Sequence, residues 1–496
     1  MIRIPLIFVL LGASSARAAT WSYFLRAGTT QISAGAYAAL PLVPSENVLM
    51  WGYAKCTDAT FASCGAVTFP GPPLMASEGD TLSITIQNAL TAPVAFPAMI
   101  SEPTSLVVLG QLAAMTPVWV SVNATGSVTG VTSTGARAAG DTTSRVRSFT
   151  TETPVGGTTV YTWASLKPGS YLYESGTHPA VQVQMGLYGG LTVYPAATPA
   201  SPTGPAPTSG QAYNDVSTAF DYEVSLLFSE VDPELHYAIA SGRYGTPPPA
   251  PPAPTLRGQR TSTVNYAPRF FLVNGSPNPI LPPVTAGKVG KKTLIRFLNA
   301  GLREKTPTLL GSYLNLVAED GNPYTFVKVG VTSFAARHQY SLLLPAGKTS
   351  DAIWTPSAAG SVALFDRSLN LSNGSQPGGQ LVYLTVVAAP TMPRPPGHRA
   401  VTVPSVGSIW TAGALRTITW PSFAPRVKIE LVHDGKPVRT LARAARTNGH
   451  FLWSIPRTLP AALDYVIRIS GGGKVIFSEN FSIAPAVPAV FAVPFL

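Results

Sequence analysis

The sequence predicts an all-β protein with more than one domain. Of its 496 residues, 45% are hydrophobic, which is enough for buried cores, and only 11% are charged. The 44 glycines and 48 prolines stand among abundant Thr, Ser, Val and Tyr, and this composition is typical of many short strands joined by turns. Stretches with helical periodicity are few. A chain of this length is expected to form several domains.

Residues 1–18 predict a cleaved secretory signal peptide. Arg3 supplies the positive start, residues 4–11 form a short apolar run, and residues 16–18 read Ala-Arg-Ala, an A-x-A cleavage site. The run is much shorter than the roughly 20 apolar residues of a membrane span. The apolar C-terminal residues 485–496 are short and broken by proline, so we expect a tail and not an anchor. The protein is therefore predicted to be exported, to the periplasm, the cell surface or the extracellular space.

The two cysteines agree with export. Cys56 and Cys64 bracket a short loop that a disulfide could close in an oxidising compartment. Free thiols and a thiolate metal site are the alternatives. A metal site would need neighbouring His or Cys at ligand spacing, and none is nearby in the sequence.

The net charge of +11 reflects few acidic residues as much as many basic ones. Short basic clusters occur at 288–292 and 439–446, without the interleaved aromatic residues that a nucleic-acid platform needs. Nucleic acid is therefore not expected as a partner. The charge is compatible either with a soluble exported protein or with attraction to an anionic surface or an acidic partner protein.

Proline-rich segments divide the chain. Two of them are predicted linkers, and a third segment, TPPPAPPAP at 246–254, is predicted to be a surface excursion within a domain. The predicted order is a signal peptide (1–18), a first domain (19–196), a linker (197–212), a second domain (213–388), a linker (389–404), a C-terminal module (405–484) and a tail (485–496).

The first domain carries motifs of a known family. TFPGPPLMASEGDTLSITIQNAL at 68–90, PTSL at 103–106 and YLYESGTHPAVQVQMGLYGGLTV at 171–193 resemble domain one of multicopper oxidases. The resemblance implies a cupredoxin-like Greek-key β-barrel or sandwich. It also implies histidine pairs that bind copper, one after PTSL and one in the strand before the Gln-x-x-x-Gly spacing.

Most of those histidines are absent. The resemblance places Val107, Leu109 and Gly176 at lost ligand positions and His178 at a retained one. His178 is either a vestigial metal ligand or a structural residue that hydrogen-bonds across its loop, with Gln182 holding the strand register. Met185, beside the same motif, is expected to be a packing residue.

The second block, 213–388, resembles domain two of three-domain multicopper oxidases. Its motifs are RFFLVNGSPNP, TLIRFLNAGL, LVAEDGNPY and LLLPAGKTSDAIWTP. This domain carries no copper in active three-domain enzymes of the family. Comparison with a histidine motif puts Lys305, Thr308 and Leu310 at ligand positions, so no ligands are expected here either.

The C-terminal module has the alternation of strands at 427–431 and 465–469. It resembles a small immunoglobulin-like module of Ser/Thr-rich yeast cell-wall proteins and of bacterial extracellular proteins. It contains no cysteine, so the thiolate ligand of a type 1 copper is missing.

The remaining histidines do not suggest another site. None of the six forms an H-x-H pair, and His236, after the Asp232-Pro233-Glu234 turn, is expected to be a solvated loop residue. No G-x-S-x-G elbow or Walker A loop is present. The full set of histidines is His178, His236, His338, His398, His433 and His450.

These observations predict an exported, multicopper-oxidase-like protein that has lost its copper sites and acts as a binding or structural protein. No cofactor is expected, and copper is the alternative. A protein or a cell-envelope polysaccharide is the expected partner. The competing hypotheses are a copper-binding oxidoreductase with non-standard ligands and a redox accessory protein that docks a cytochrome or similar carrier. If the protein is an enzyme, a multicopper-oxidase-type oxidoreductase is expected.

Overall fold

The computed structural model describes most of the chain, and all structural statements concern the described part. That part comprises residues 18–32, 47–123, 128–246, 256–260, 262–276, 283–328, 331–373, 376–377, 379–388, 401–405, 408–433, 435–446, 448–460 and 462–484. The predicted signal peptide apart from Ala18, almost all of the 246–254 segment, most of the 389–404 linker and all of the 485–496 tail lie outside it. By compactness the chain forms two units. One comprises Met1–Pro282, Leu294–Ile353 and Ala363–Val382, and the other Pro283–Thr293, Trp354–Val362 and Tyr383–Leu496.

The first unit begins with a β-sandwich. Its strands and one helix are β1 (Thr20–Ile32), β2 (Val48–Cys56), β3 (Leu74–Ser77), β4 (Thr81–Asn88), β5 (Val107–Val108), β6 (Val118–Val122), β7 (Val128–Thr134), β8 (Arg145–Ser148), β9 (Thr158–Trp163), β10 (Gly169–Glu174), α1 (Pro179–Met185) and β11 (Tyr188–Tyr194). One sheet has the order β2-β1-β4-β9 and the other β3-β11-β10-β5, while β7-β6-β8 form a small third sheet. β1 with β4 and β11 with β3 are parallel pairs, and the remaining pairs are antiparallel.

Alternating residues build this sandwich. Leu82, Ile84 and Ile86 of β4 are fully buried, whereas the polar residues between them are half-buried. Alternation of this kind is what a strand with one face on the core requires. The two sheets enclose a single apolar cluster that includes Trp21, Trp51 and other large side chains of both layers. The prediction of an all-β chain is confirmed.

A second sandwich follows in the same unit. Its elements are β12 (Gly210–Gln211), a 3₁₀ turn (Val216–Thr218), β13 (Ala219–Phe220), β14 (Tyr222–Val231), α2 (Pro233–Ala240), β15 (Phe270–Val273), β17 (Thr293–Asn299), β18 (Pro307–Leu309), β19 (Leu314–Glu319), β20 (Asn322–Pro323), β21 (Thr325–Lys328), β22 (Val331–Phe334), β23 (Arg337–Gln339), β24 (Thr349–Trp354), β25 (Gly360–Asp366), β26 (Ser372–Asn373) and β27 (Gln376–Pro377), with β16 (Val284–Lys288) between β15 and β17 in the chain. The main sheet runs β15-β14-β17-β24-β19-β20, with β23 also on β19. β18 pairs antiparallel with residues 364–366 of β25.

The proline-rich segment 197–212 follows the first sandwich along its surface. Thr198 is buried, and its Oγ1 accepts a hydrogen bond of 2.7 Å from the backbone N–H of Gln211. Ala200 donates its backbone N–H to Oγ of Ser77 at 3.0 Å, while Ala212 is fully buried. The segment is therefore held at several points along its length.

The second unit contains the C-terminal module. It also includes most of β28 (Leu381–Val387). The strands of the module are β29 (Ile409–Thr411), β30 (Leu415–Thr419), β31 (Arg426–His433), β32 (Lys436–Arg446), β33 (His450–Ser454), β34 (Ala462–Gly471), β35 (Lys474–Phe477) and β36 (Phe481–Ala484). β16 pairs in parallel with β28. One module sheet runs β29-β36-β34-β31-β32, with β35 also on β34, and faces the β30–β33 pair across a core that contains Trp410, Trp420 and Trp453.

Cys56 and Cys64 form the disulfide that the sequence predicts. It closes the short loop after β2, which Thr57 and Gly65 also fasten by backbone hydrogen bonds to Ser63 and Lys55. No helix in the described ranges has the length and apolar character needed to cross a membrane.

Candidate functional site

Val107 and Gly176, two of the positions that the family resemblance compares with histidines, lie next to each other where β5 meets β10. Val107 pairs with Glu174, the last residue of β10, and Gly176 follows two residues later. A Cβ atom at Gly176 would lie 2.9 Å from Cγ1 of Val107 and 3.0 Å from Oγ of Ser105. Valine is branched at Cβ and has little rotamer freedom to move aside. The space between positions 107 and 176 is therefore already filled.

The third position, Leu109, belongs to apolar packing. It contacts a buried cluster in which Leu172 of β10 meets Leu227 of β14 and Leu298 of β17. Leu109 also lines an open cleft of about 400 Å³ together with Lys348 and other residues. A hydrophobic side chain suits this position because its neighbours from both sandwiches are apolar.

His178 is held by an acidic partner. Its Nδ1 lies 2.9 Å from Oε2 of Glu102, and both side chains are partly exposed. The His178 backbone has a left-handed conformation, with φ of 39°, and its carbonyl accepts from the N–H groups of Val181 and Gln182 at the start of α1. His178 and Gln182 share no side-chain hydrogen bond, so the residue fastens its loop through Glu102 and through its backbone.

The charge on Glu102 is stabilised at this place. Burial by itself raises the pKa of the Glu102 carboxyl, but the hydrogen bond and charge of His178 lower it, with help from Gln182 and Arg147. The net effect is a pKa below the usual value for glutamate. Arg147 is engaged elsewhere as well, because its guanidinium binds both oxygens of Glu152.

A triangle of hydroxyl groups lies beneath these positions. The Oγ atoms of Ser105 and Ser148 are 3.0 Å apart, and Oγ1 of Thr177 lies 3.0 Å from each of them. All three side chains are almost completely buried. Ser148 also donates to the carbonyl of Thr150 at 2.7 Å, so the cluster is anchored to the backbone.

Gln182 ties the approach to β5 to the loop after β10. It is fully buried, and its Oε1 accepts from the hydroxyls of Thr104 at 2.9 Å and Ser175 at 2.8 Å. Its Nε2 donates to the carbonyl of Pro103 at 2.9 Å. The amide thus holds the two segments in register, as the sequence predicts for Gln182.

The side chains at this place do not fit a copper cluster. Imidazole nitrogens are the usual ligands of Cu(II) and soft sulfur atoms those of Cu(I). Here the buried polar atoms are hydroxyl and amide groups that already hydrogen-bond to one another. Among the residues that the structure describes, no group of three or more His, Cys, Asp or Glu side chains could hold a metal ion.

In the second sandwich, the three positions compared with histidines are Lys305, Thr308 and Leu310, and they have unlike surroundings. Lys305 is fully buried, and its Nζ lies 2.8 Å from Oε2 of the equally buried Glu230. The contact is one of charge, since neither atom completes a well-aligned hydrogen bond with a described residue. Thr308 is buried and Leu310 is exposed. The three residues do not converge on a common site.

The expectation for His236 is wrong. It lies on α2 and not in a solvated loop, is 1% exposed, and its Nδ1 contacts the carbonyl of Leu49 at 2.5 Å. Asp232 caps the helix by accepting from the N–H of Glu234, and Pro233 occupies the first turn. Asp followed by Pro is a helix-start signal as well as a turn signal, and burial against β2 selects the helix.

The expectation for Met185 agrees with its position. Met185 is fully buried at the end of α1 and belongs to the core of the first sandwich. It contacts apolar neighbours, as a packing residue does.

The structure also contains an ionic network that sequence reasoning missed. Arg296 on β17 is fully buried between Glu223 and Asp351, with nitrogen–oxygen distances of 2.5 and 3.3 Å. Ser170 of β10 and the hydroxyl of Tyr213 both donate to Asp351, which joins the two sandwiches. The sequence signal for this network was a single arginine flanked by apolar residues in the strand TLIRFLN, because a buried charge requires partners.

Comparisons with known proteins give one family match and a set of similar solved structures. Residues 403–483 match the family model of the Kre9/KNH-like N-terminal Ig-like domain. No curated protein sequence matches the chain. Similar solved structures include the blue copper oxidase of Nitrosomonas europaea, at 15% identity and a TM-score of 0.46, with 74% of this chain and 86% of that chain covered.

Two further similar structures are a copper nitrite reductase and a multicopper oxidase. The nitrite reductase of Nitrosomonas europaea is 16% identical, with a TM-score of 0.44 and coverage of 74% and 94%. The oxidase of Pseudomonas thermotolerans is 16% identical, with a TM-score of 0.40 and coverage of 95% and 100%. The family-model match confirms the predicted resemblance of the C-terminal module to an immunoglobulin-like domain.

Proposed function

We propose that this protein is exported, uses a multicopper-oxidase-like scaffold for binding or support in the cell envelope, and has lost copper catalysis. The observation that carries the proposal is the contact between Val107 and Gly176. These positions are packed together so closely that even a methyl group at 176 would be 2.9 Å from Val107. With Val107 in place, position 176 has no room for a side chain, so the site is closed by packing and is also short of ligands.

Two other features support the proposal. The hydroxyls of the buried triangle hydrogen-bond to one another, and Gln182 separately accepts from Thr104 and Ser175. These bonds rigidify the place where catalysis would need open coordination positions. The C-terminal module matches the Kre9/KNH-like family, and modules of this kind occur in secreted cell-wall proteins. Association with wall material through this module is therefore part of the proposed function.

Copper content tests the loss of catalysis. The purified protein is incubated with Cu(II), dialysed and subjected to elemental analysis, and its oxidase activity is assayed with a phenolic substrate. We expect far less than one copper per chain and no turnover. Stoichiometric copper together with activity that His178→Ala abolishes would establish the copper-binding oxidoreductase instead.

Retention on wall material tests the binding role. Cell-wall fragments from the organism that encodes the protein are mixed with the purified chain, sedimented and washed. The control is a basic protein of similar isoelectric point that has no catalytic activity on cell walls. Retention of this protein above that control supports the proposal, and equal retention contradicts it.

A further inference from the structure

The C-terminal module holds a large share of the positive charge of the chain. Residues 401–484 contain ten Lys and Arg against four Asp and Glu, which is a formal charge of +6 out of +11 for the whole protein. The excess is therefore concentrated in one small module.

Several of these charges share one face of a sheet. In β31, Val427, Ile429 and Leu431 point into the module core, whereas Arg426 and Lys428 are exposed on the opposite face. β31 is an inner strand, with β32 on one side and β34 on the other. Residues on one face lie about 7 Å apart along a strand and about 5 Å apart between strands.

The neighbouring strands add further cations to this face. Arg446 of β32 is directly opposite Arg426, and Arg443 is exposed at the bulge that lies opposite Lys428. Arg468 of β34 pairs in register with Glu430. We name the set Arg426, Lys428, Arg443, Arg446 and Arg468 the basic face.

One carboxylate lies within the basic face and is fully used. Glu430 contacts Nζ of Lys428 at 2.5 Å and the guanidinium of Arg468 at 3.6 Å. Within the described part of the chain, no acidic side chain pairs with Arg426, Arg443 or Arg446. These three guanidinium groups therefore leave a positive field without an internal counter-charge.

The arrangement has a cost that folding does not explain. Like charges directly opposite each other in a sheet are destabilising, and Arg426 faces Arg446. Charged residues on an edge strand can protect against aggregation, which would account for Arg446 on β32. They do not account for Arg426 and Lys428 on the inner strand β31. An anion bound across the face would remove the repulsion.

We propose that the basic face binds an anionic polysaccharide, which rests on the envelope-binding function proposed above. Guanidinium groups bind carboxylate and phosphate groups in a two-pronged geometry, and a flat sheet face suits an extended polymer. β31 and β32 carry no Phe, Tyr or Trp, and Phe477, opposite Arg468 on β35, is half-buried. The face therefore lacks the row of exposed aromatic side chains on which nucleic-acid bases stack.

The test uses the whole protein and two matched variants. Arg426→Gln/Arg446→Gln removes two cations from the basic face. Arg145→Gln/Lys167→Gln removes the same charge from exposed positions of the first sandwich. Binding is measured to alginate, which carries carboxylates, to phosphorylated dextran and to neutral dextran, over a series of NaCl concentrations.

We expect binding to one or both anionic polymers, none to neutral dextran, and loss of binding as salt rises. The basic-face variant should bind at least about tenfold more weakly because two central charges are lost, and the control variant should be within about twofold of the unchanged protein. Thermal unfolding of the basic-face variant should occur at an equal or higher temperature, since the Arg–Arg repulsion is removed. That readout separates lost binding from misfolding.

If both variants bind the anionic polysaccharides equally more weakly than the unchanged protein, the proposal is overturned. Tighter binding of the unchanged protein to polyglutamate or to anionic vesicles than to either polysaccharide would also overturn it. The same variants on cell-wall fragments separate the two proposals. Retention of the unchanged protein and of the basic-face variant alike would refute the basic face and leave the envelope-binding role standing. Failure of the unchanged protein to be retained would refute the envelope-binding role.

Discussion

Gly176→Ala tests whether the position between β5 and β10 is closed by packing. The new methyl group would lie 2.9 Å from Cγ1 of Val107 and 3.0 Å from Oγ of Ser105. Overpacking of this kind costs about 1–3 kcal/mol. Because Gly176 is not in a left-handed conformation, alanine also gains about 0.4–1 kcal/mol from reduced chain entropy. The expected net loss of stability is about 1–2 kcal/mol.

A control and a rescue make the prediction specific. Gly130→Ala is the matched control, because a Cβ there meets nothing within 4 Å, and it should be neutral or slightly stabilising. Val107→Ala should cost about 2 kcal/mol through the cavity it leaves. The double variant Gly176→Ala/Val107→Ala should cost less than the sum of its parts by about 1 kcal/mol or more, because the new methyl group enters that cavity.

Hydrogen exchange is the suitable assay, since a chain with several domains need not unfold in one step. Amide protection is followed in peptides that cover β5, β10 and the loop after it, and urea denaturation gives the overall stability. Faster exchange confined to these peptides in Gly176→Ala is expected. If these amides exchange as slowly in Gly176→Ala as in Gly130→Ala, position 176 is open and the packing argument fails.

Two further predictions concern buried charges in the first unit. Lys305→Met should lower the free energy of unfolding by about 3–5 kcal/mol because it leaves the charge of Glu230 buried without its partner, and adding Glu230→Gln should recover much of that loss. Urea denaturation of the unchanged protein, the two single variants and the double variant measures these free energies. If Lys305→Met costs as much in the Glu230→Gln background as in the unchanged protein, the pairing is contradicted. Burial raises the pKa of Glu174 from 4.5 to about 7, so between these values the unfolded chain has lost its proton while the folded chain keeps it, and stability falls as pH rises. Glu174→Gln should remove that slope and be more stable than the unchanged protein at pH 8 by roughly 2 kcal/mol, and parallel stability–pH curves for the two proteins would refute the assignment.

Much of the architecture is readable from local patterns. Strand alternation in β4 and in β31 is visible in the sequence because one face of each strand must be apolar. Cys56 and Cys64 are close enough in sequence for their pairing to be foreseen. The comparison of Val107, Leu109 and Gly176 with histidine positions also needs only the sequence, because it sets residues against a family motif.

Partners that come from distant parts of the chain could not be read in this way. The contact of His178 with Glu102, the burial of His236 on α2 and the pairing of Lys305 with Glu230 each depend on segments that meet only after folding. The hydroxyl triangle joins two loops to the end of β8, and single serines or threonines carry no local signal. By itself the sequence determined the all-β class and made the disulfide the expected state of the two cysteines, because periodicity and residue identity are local. Only the tertiary structure decided what surrounds Val107, Leu109 and Gly176 and where unpaired charge is left, because packing and electrostatics depend on distance in space.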